Sequence, residues 1–477
     1  MSRRKVLHGI AASAIGARLL THTPVDAAPK GEGGASVITP PPRPTRIDVG
    51  GGAIAYLVES HELPLVDLSL SFRSGAALEP KDKLGQTRLF ARMLRRGAGG
   101  RSSDDIEVLI DRLGGELSMD VSASSITIHA QVIRRNLEPF VALLTDIVTK
   151  PAFAEDELGR LRREAVAEII DARDSDKALA SKFFRRAVFG EHAYGRSIQG
   201  TPKTIPGITR ADVVASHALH IRRGNVVLAA AGDLSEADLR KIVLPLVAAM
   251  PEGGPVADPT PDPTIPKGRR LFFVDKPART QTQILIGALG THALDVDHTS
   301  LHVANTVFGG TFTARLMKEV RSKRGWSYGA YSRLPIDRKR DSFSMWTFPA
   351  AKDAAECLAL ELSMLDELVA KGITDQELAF AQSYLSESYA FDIDTAYKRV
   401  RQAVDEDLYG LPADYHTGYV AHVKAVTRDQ ANAALKARLH PENIAVVVVG
   451  TASEIKEAIQ KAIPNLASTD VIPYEAD

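Results

Sequence analysis

A strand–turn–helix unit occurs twice in this chain of 477 residues, and that duplication constrains the fold more than any other feature. Asn225 to Gly232 is an unbroken apolar run followed by Asp233-Leu234-Ser235 and an amphipathic stretch. Asn443 to Gly450 repeats the pattern, followed by Thr451-Ala452-Ser453 and a second amphipathic stretch. Each copy reads as a buried strand, a glycine turn, a serine N-cap candidate (Ser235, Ser453) and a helix, and each is expected to close its half of the chain. The openings also correspond. Val66, Leu68, Leu70 and Phe72 alternate on one strand face, Thr282 to Leu289 reads as an apolar strand, and a helix follows each. Six prolines between Pro251 and Pro266 exclude both helix and central strand there. The expectation is an α+β fold of two duplicated halves, each with mixed or antiparallel sheets packed on helices. The boundaries are 47–250 and 269–477, joined by a proline-rich linker at 251–268.

Charge and composition narrow the function. With 59 basic and 59 acidic side chains the formal net charge is zero, so the chain has no field for gripping nucleic acid or an anionic membrane. Beyond the N-terminus no apolar run approaches the ~18 residues of a membrane span. Cys357 is the one cysteine, which excludes an intramolecular disulfide and reads as an inert buried thiol. The first 28 residues have a basic start with Arg3-Arg4, an apolar stretch from Ile10 to Ala17 and small residues at Val25-Asp26-Ala27-Ala28. That order reads as an export signal, with the arginine pair pointing to the twin-arginine route and a periplasmic or otherwise exported protein. Arg18 interrupts the apolar stretch, and a disordered basic tail is the alternative. Residues 29–46 read as a linker.

Several ordered motifs carry a resemblance. Gly85 to Leu94 forms a helix after a strand and a loop at Gly75; Arg101 to Ile106 and Ile110 to Leu117 follow. Pro151-Ala152-Phe153 leads into a helix carrying Arg163 to Ile169, and Phe189 to Arg196 and Gly200-Thr201-Pro202 come next. This succession resembles the insulinase/pitrilysin family of inverted-motif zinc peptidases, especially its small-subunit branch similar to the mitochondrial processing peptidase. The resemblance runs from about Gly51 to Asn465 and implies a chain forming one side of a clamshell chamber. Active members carry H-x-x-E-H on the first helix: two histidine ligands on one face, a glutamate base, and a third carboxylate ligand from a later helix. Here the five positions read Arg88-Leu89-Phe90-Ala91-Arg92. Both ligand positions are arginine, which cannot become a ligand, and the base position is alanine. Only the distal carboxylate remains, at Glu168. Arg88, Arg92 and Glu168 are expected either to form an ion-pair cluster or to stand as solvated side chains on an exposed helix. No metal is expected on this chain.

The second half keeps more. Val307 to Leu316 and Met317 to Tyr328 are similar to the family's G-G-x-x-x-S-R-L and R-x-x-x-G-x-x-Y segments, with Ala314 where serine is usual. The resemblance implies that Arg321 and Tyr328 are the donors that reach across the chamber to a zinc site, holding the substrate carbonyl and supporting the oxyanion. Gly325 is expected to end the helix in a left-handed turn and let Tyr328 start the next strand. Read without the family, Arg321 is a surface cation and Tyr328 a half-buried sheet residue. His217 and His220 read as helix packing, Gly97 to Gly100 as a loop rather than a phosphate cradle, and Asp111 to Gly115 as a helix end. Together these features imply a non-catalytic subunit. Its expected partner is a homologous zinc-bearing subunit in a heterodimer, and its expected substrate class is unfolded peptides. The alternative is a catalytically inert peptide-binding or assembly protein, including a homodimer.

Overall fold

In the computed structural model, residues 42–477 are described; the expected export signal (1–28) and residues 29–41 of the linker lie outside them. Each half contributes one six-stranded mixed sheet. The first contains β1 (Thr45–Gly50), β2 (Ala53–Glu59), β3 (Leu65–Phe72), β4 (Gly115–Val121), β5 (Ile126–Ile133) and β6 (Val226–Gly232) in the order β1-β2-β6-β3-β5-β4. The second contains β7 (Arg269–Asp275), β8 (Gln283–Leu289), β9 (Ala330–Arg333), β10 (Ser342–Thr347), β11 (Ala445–Gly450) and β12 (Leu466–Pro473) in the order β12-β7-β11-β8-β10-β9. Five positions correspond one to one. The strand β6 inserts between β2 and β3, and β11 between β7 and β8, each parallel to the first of its neighbours and antiparallel to the second. The edge differs: β1 precedes β2 and runs antiparallel to it, whereas β12 follows the repeat and runs parallel to β7. The sequence pattern implied that both copies of the repeat close their halves, but the second is followed by β12, which completes the sheet. Segment 251–268 has neither helix nor strand, and it lies along the first half through bonds such as Gly224 N–H to the Gly253 carbonyl, 2.8 Å.

The closing strands explain how the halves meet. Val226, Leu228 and Ala230 point into the first half's own helical core, while Val227, Ala229 and Ala231 point to the other face, and all six are buried. A strand apolar on both faces needs cover on both. The second cover comes from the other half: Val400, Val404 and Leu408 of helix Ala396–Tyr409 pack on that face. The alanines of β6 allow this helix a close approach. The exchange is reciprocal. Helix Asp176–Phe189 of the first half lays Leu179, Phe183 and Phe184 on Leu285, Val447 and Val449 of the second sheet. The same clasp buries Ser69 and Ser71 of β3, on the face opposite Leu68 and Leu70; Arg401 donates to Ser71 Oγ at 3.3 Å.

Of the two expected serine caps, one needs correction. Ser453 lies in the first turn of helix Ala452–Lys461, and Thr451 holds the N-cap position, where its Oγ1 accepts the Arg279 N–H at 2.9 Å. Ser235 does cap its helix, in a reciprocal pair with Asp238.

Candidate functional site

The helix Gln86–Met93 begins at Gly85, whose φ of 92° no L side chain adopts cheaply. The buried Glu79 carboxylate accepts the backbone N–H groups of Gly85 and Thr87 at 2.9 and 2.6 Å, supplying the cap that glycine lacks. Burial pushes Glu79 up to about 7, against the lowering effect of these bonds. Leu89, Phe90 and Met93 turn into the core, and Arg88 and Arg92 turn outward on the opposite face.

Glu168, on helix Glu155–Asp171, lies between those two arginines. Arg92 grips it with two bonds, Nη1 to Oε2 at 2.9 Å and Nη2 to Oε1 at 2.8 Å, and Arg88 Nη2 reaches Oε2 at 3.2 Å. The ladder continues as Arg96 meets Glu164 at 2.6 Å and Glu157 at 3.5 Å. Of the two expected arrangements, the ion-pair cluster is the one present. This donor set does not fit zinc. Guanidinium nitrogens offer N–H groups and no lone pair, and both Glu168 oxygens already accept from them. Ala91, at the base position, is 1% exposed and packs in the core. Among the described residues no group of three or more His, Cys, Asp or Glu side chains is placed to hold a metal ion.

In the second half, Arg321 sits in a wide helical turn, Met317–Lys323, and Gly325 leaves it at φ 67°, as its sequence position implied. Tyr328 does not begin the next strand; β9 starts at Ala330, and Tyr328 is 73% exposed in the preceding bend. The Arg321 guanidinium stands over the Tyr328 ring, 4.3 Å from its centroid, and over the Phe312 ring at 4.6 Å. No carboxylate among the described residues pairs with it within 4 Å. The two rings fix the plane of the cation electrostatically without occupying its N–H groups. Phe312, 62% exposed, was not singled out from the sequence. The signal available was an aromatic in a Gly-Gly-Thr-Phe-Thr turn, where no core position calls for one.

The remaining candidates are structural. His220 bonds Ser74 Oγ at 2.8 Å, and burial lowers it to about 4; His217 bonds the Val148 carbonyl at 2.8 Å. Both rings pack against Phe90. Gly97 to Gly100 forms a turn tied to Lys150 and Pro151, and Gly114 ends helix Ser103–Leu113 in a left-handed conformation. Cys357 is fully buried, and desolvation raises its thiol far above the usual range.

Fold and site together define a duplicated α+β scaffold of the zinc-peptidase type whose own metal position is occupied by salt bridges. Residues 55–202 match the insulinase family (peptidase family M16), and residues 207–385 match the peptidase M16 inactive domain. The chain belongs to this family, as a non-catalytic member. A Helicobacter pylori protein described as the non-peptidase homolog YmxG is 22% identical over 399 residues, 83% of this chain and 92% of that protein. An uncharacterized zinc protease of Streptomyces coelicolor is 27% identical over 357 residues, 73% of this chain and 77% of that one. Among solved structures, a peptidase M16 inactive domain from Pseudomonas fluorescens superposes with a TM-score of 0.80 at 28% identity, covering 86% of this chain and 98% of that chain.

Proposed function

We propose that this chain is the non-catalytic subunit of a heterodimeric zinc metallopeptidase. In this reading it completes the peptide-cleaving site of a homologous partner that carries H-x-x-E-H and the zinc. Arg321 and Tyr328 bind the substrate carbonyl and stabilise the oxyanion as it forms. The observation that carries the reading is the contrast in how the arginines are held. Those at the lost metal position are bonded to carboxylates, whereas Arg321 is braced by two exposed rings with its donors unspent. A guanidinium and a phenol fixed before substrate arrives act without reorganisation, which is what transition-state stabilisation requires. Support also comes from relatives described both as zinc proteases and as a non-peptidase homolog. The implied substrate is unfolded peptide. Export of the chain through its first 28 residues, and the division into 47–250, 251–268 and 269–477, belong to the same proposal.

The test is reconstitution. Alone, the protein should contain no stoichiometric zinc and cleave no unfolded peptide. Mixed with a homologous chain bearing the intact motif, it should form a heterodimer and raise peptidase activity. A partner that is fully active by itself would refute the proposal and leave an inert assembly or peptide-binding protein.

A further inference from the structure

A polar cavity of about 350 Å³ lies where β4 and β5 of the first half meet helix Ala396–Tyr409 of the second. That is room for roughly a dozen waters at about 30 Å³ each, at the small end of ligand sites. The edge strand β4 contributes Ser118 and Asp120, β5 contributes His129, and the helix contributes Tyr397, Arg401 and Tyr409.

Most of these groups are not engaged by the protein. His129 Nδ1 is buried without a hydrogen-bond partner. The Ser118 and Tyr409 hydroxyls and the Asp120 carboxylate make no side-chain hydrogen bond with the described residues. A buried group left like His129 Nδ1 is normally satisfied by water or a ligand, and Ser118, its partner across the sheet, and Asp120 stand exposed at the edge of the same cavity. The charges narrow the choice. Arg401 is already balanced by Asp405, Nη2 to Oδ1 at 3.1 Å, and donates from Nη1 to Ser71. Asp120 has no cationic side chain within 4 Å among the described residues. The cavity therefore presents neutral to negative walls, which disfavours phosphates and carboxylates. Its walls set hydroxyls beside a carboxylate, and the His129 and Tyr397 rings, 4.8 Å apart and inclined at 51° to each other, add an aromatic wall. Hydroxyls on one side and a C–H face on the other are the surfaces of a sugar.

We propose that the cavity formed by Ser118, Asp120 and His129 with Tyr397, Arg401 and Tyr409 binds a small polyhydroxylated ligand, a neutral monosaccharide or an aminosugar. The ligand bonds to strands of one half and a helix of the other, so it ties the halves together and stabilises the folded chain when it binds. This site is independent of Arg321 and Tyr328, and it stands or falls separately from the peptidase-subunit reading.

Calorimetric titration and thermal melting of the full chain would test it with a panel of glucose, galactose, mannose, glucosamine and inorganic phosphate. The expected result is saturable binding of at least one sugar with a rise in melting temperature, and no binding of phosphate. Asp120 lies exposed on an edge strand, so Asp120→Asn should keep the far-ultraviolet circular dichroism of the parent while weakening sugar binding about tenfold. Tyr409→Phe should weaken it as well. No sugar binding, phosphate binding in preference to sugar, or unchanged affinity in a folded Asp120→Asn protein would each overturn the proposal.

Discussion

Arg92 and Arg321 are both partly exposed arginines on helices, one in each half, and their surroundings differ in kind. Around Arg92 the neighbours are carboxylates: Glu168 takes two bonds, and Glu164 lies 3.6 Å away. Around Arg321 the neighbours are the faces of Phe312 and Tyr328. Carboxylates consume a guanidinium's hydrogen bonds, whereas aromatic faces orient the cation and leave its edge available. The first arrangement holds two helices together. The second is suited to receive something from outside. Loss of the metal set in one half thus says little about the other.

The strongest way to break this comparison is at Arg321. In the reconstituted heterodimer, Arg321→Ala should lower kcat by about 10²–10³-fold, the usual cost of one oxyanion donor, while heterodimer formation is unchanged. Tyr328→Phe keeps the ring beneath Arg321 and removes the phenol, so its loss of kcat should be smaller than that of Arg321→Ala. Activity within twofold of the parent in Arg321→Ala would end the functional distinction between the two arginines.

A buried carboxyl in the second half sharpens the contrast with paired Glu168. Glu361 is fully buried, accepts from Thr347 Oγ1 at 3.0 Å and from Cys357 Sγ at 3.9 Å on Oε2, and leaves Oε1 unpartnered; desolvation pushes it up to about 8. Its usual value is 4.5, so between 4.5 and 8 the folded chain holds the proton that the unfolded chain has released. Stability from this residue is therefore greatest below that window and falls as pH rises through it. Glu361→Gln should flatten the decline in melting temperature between pH 5 and pH 8. An identical pH profile in the variant would remove Glu361 as its source.

The ion-pair cluster should matter less. Glu168→Gln leaves Arg88 and Arg92 partly exposed and still hydrated, so a loss of about 1 kcal/mol in a denaturant titration is expected, with no change in metal content. The smallest effect is expected from Phe312→Ala, which removes one of the two rings over Arg321. At about 0.5–1 kcal/mol for an exposed cation–π contact, kcat/KM of the heterodimer should fall severalfold. No change would mean that Tyr328 alone holds the cation.

Local periodicity and motif spacing were enough to read the duplication, the two helix faces at Arg88 and Arg92, and the left-handed exit at Gly325. Each depends on residues a few positions apart. What could not be read involves partners hundreds of positions away. The burial of Ser69 and Ser71 depends on a helix that begins only at Ala396. Thr451 rather than Ser453 holds the N-cap position, and its hydroxyl accepts from Arg279 instead of capping a helix N–H. His129 had no visible role until Tyr397 was placed against it.

The fate of the zinc motif follows the same division. That Arg88, Ala91 and Arg92 cannot bind or use zinc is a property of their functional groups, and the sequence alone decides it. How the abandoned position is filled, and which cations keep free donors, depends on a carboxylate 76 residues from Arg92 and on two aromatic rings brought together by a turn. Chemistry of single side chains is local, whereas satisfaction of their hydrogen bonds is a property of the folded whole. Only the tertiary structure could separate the arginines that hold this protein together from Arg321, whose donors stay open.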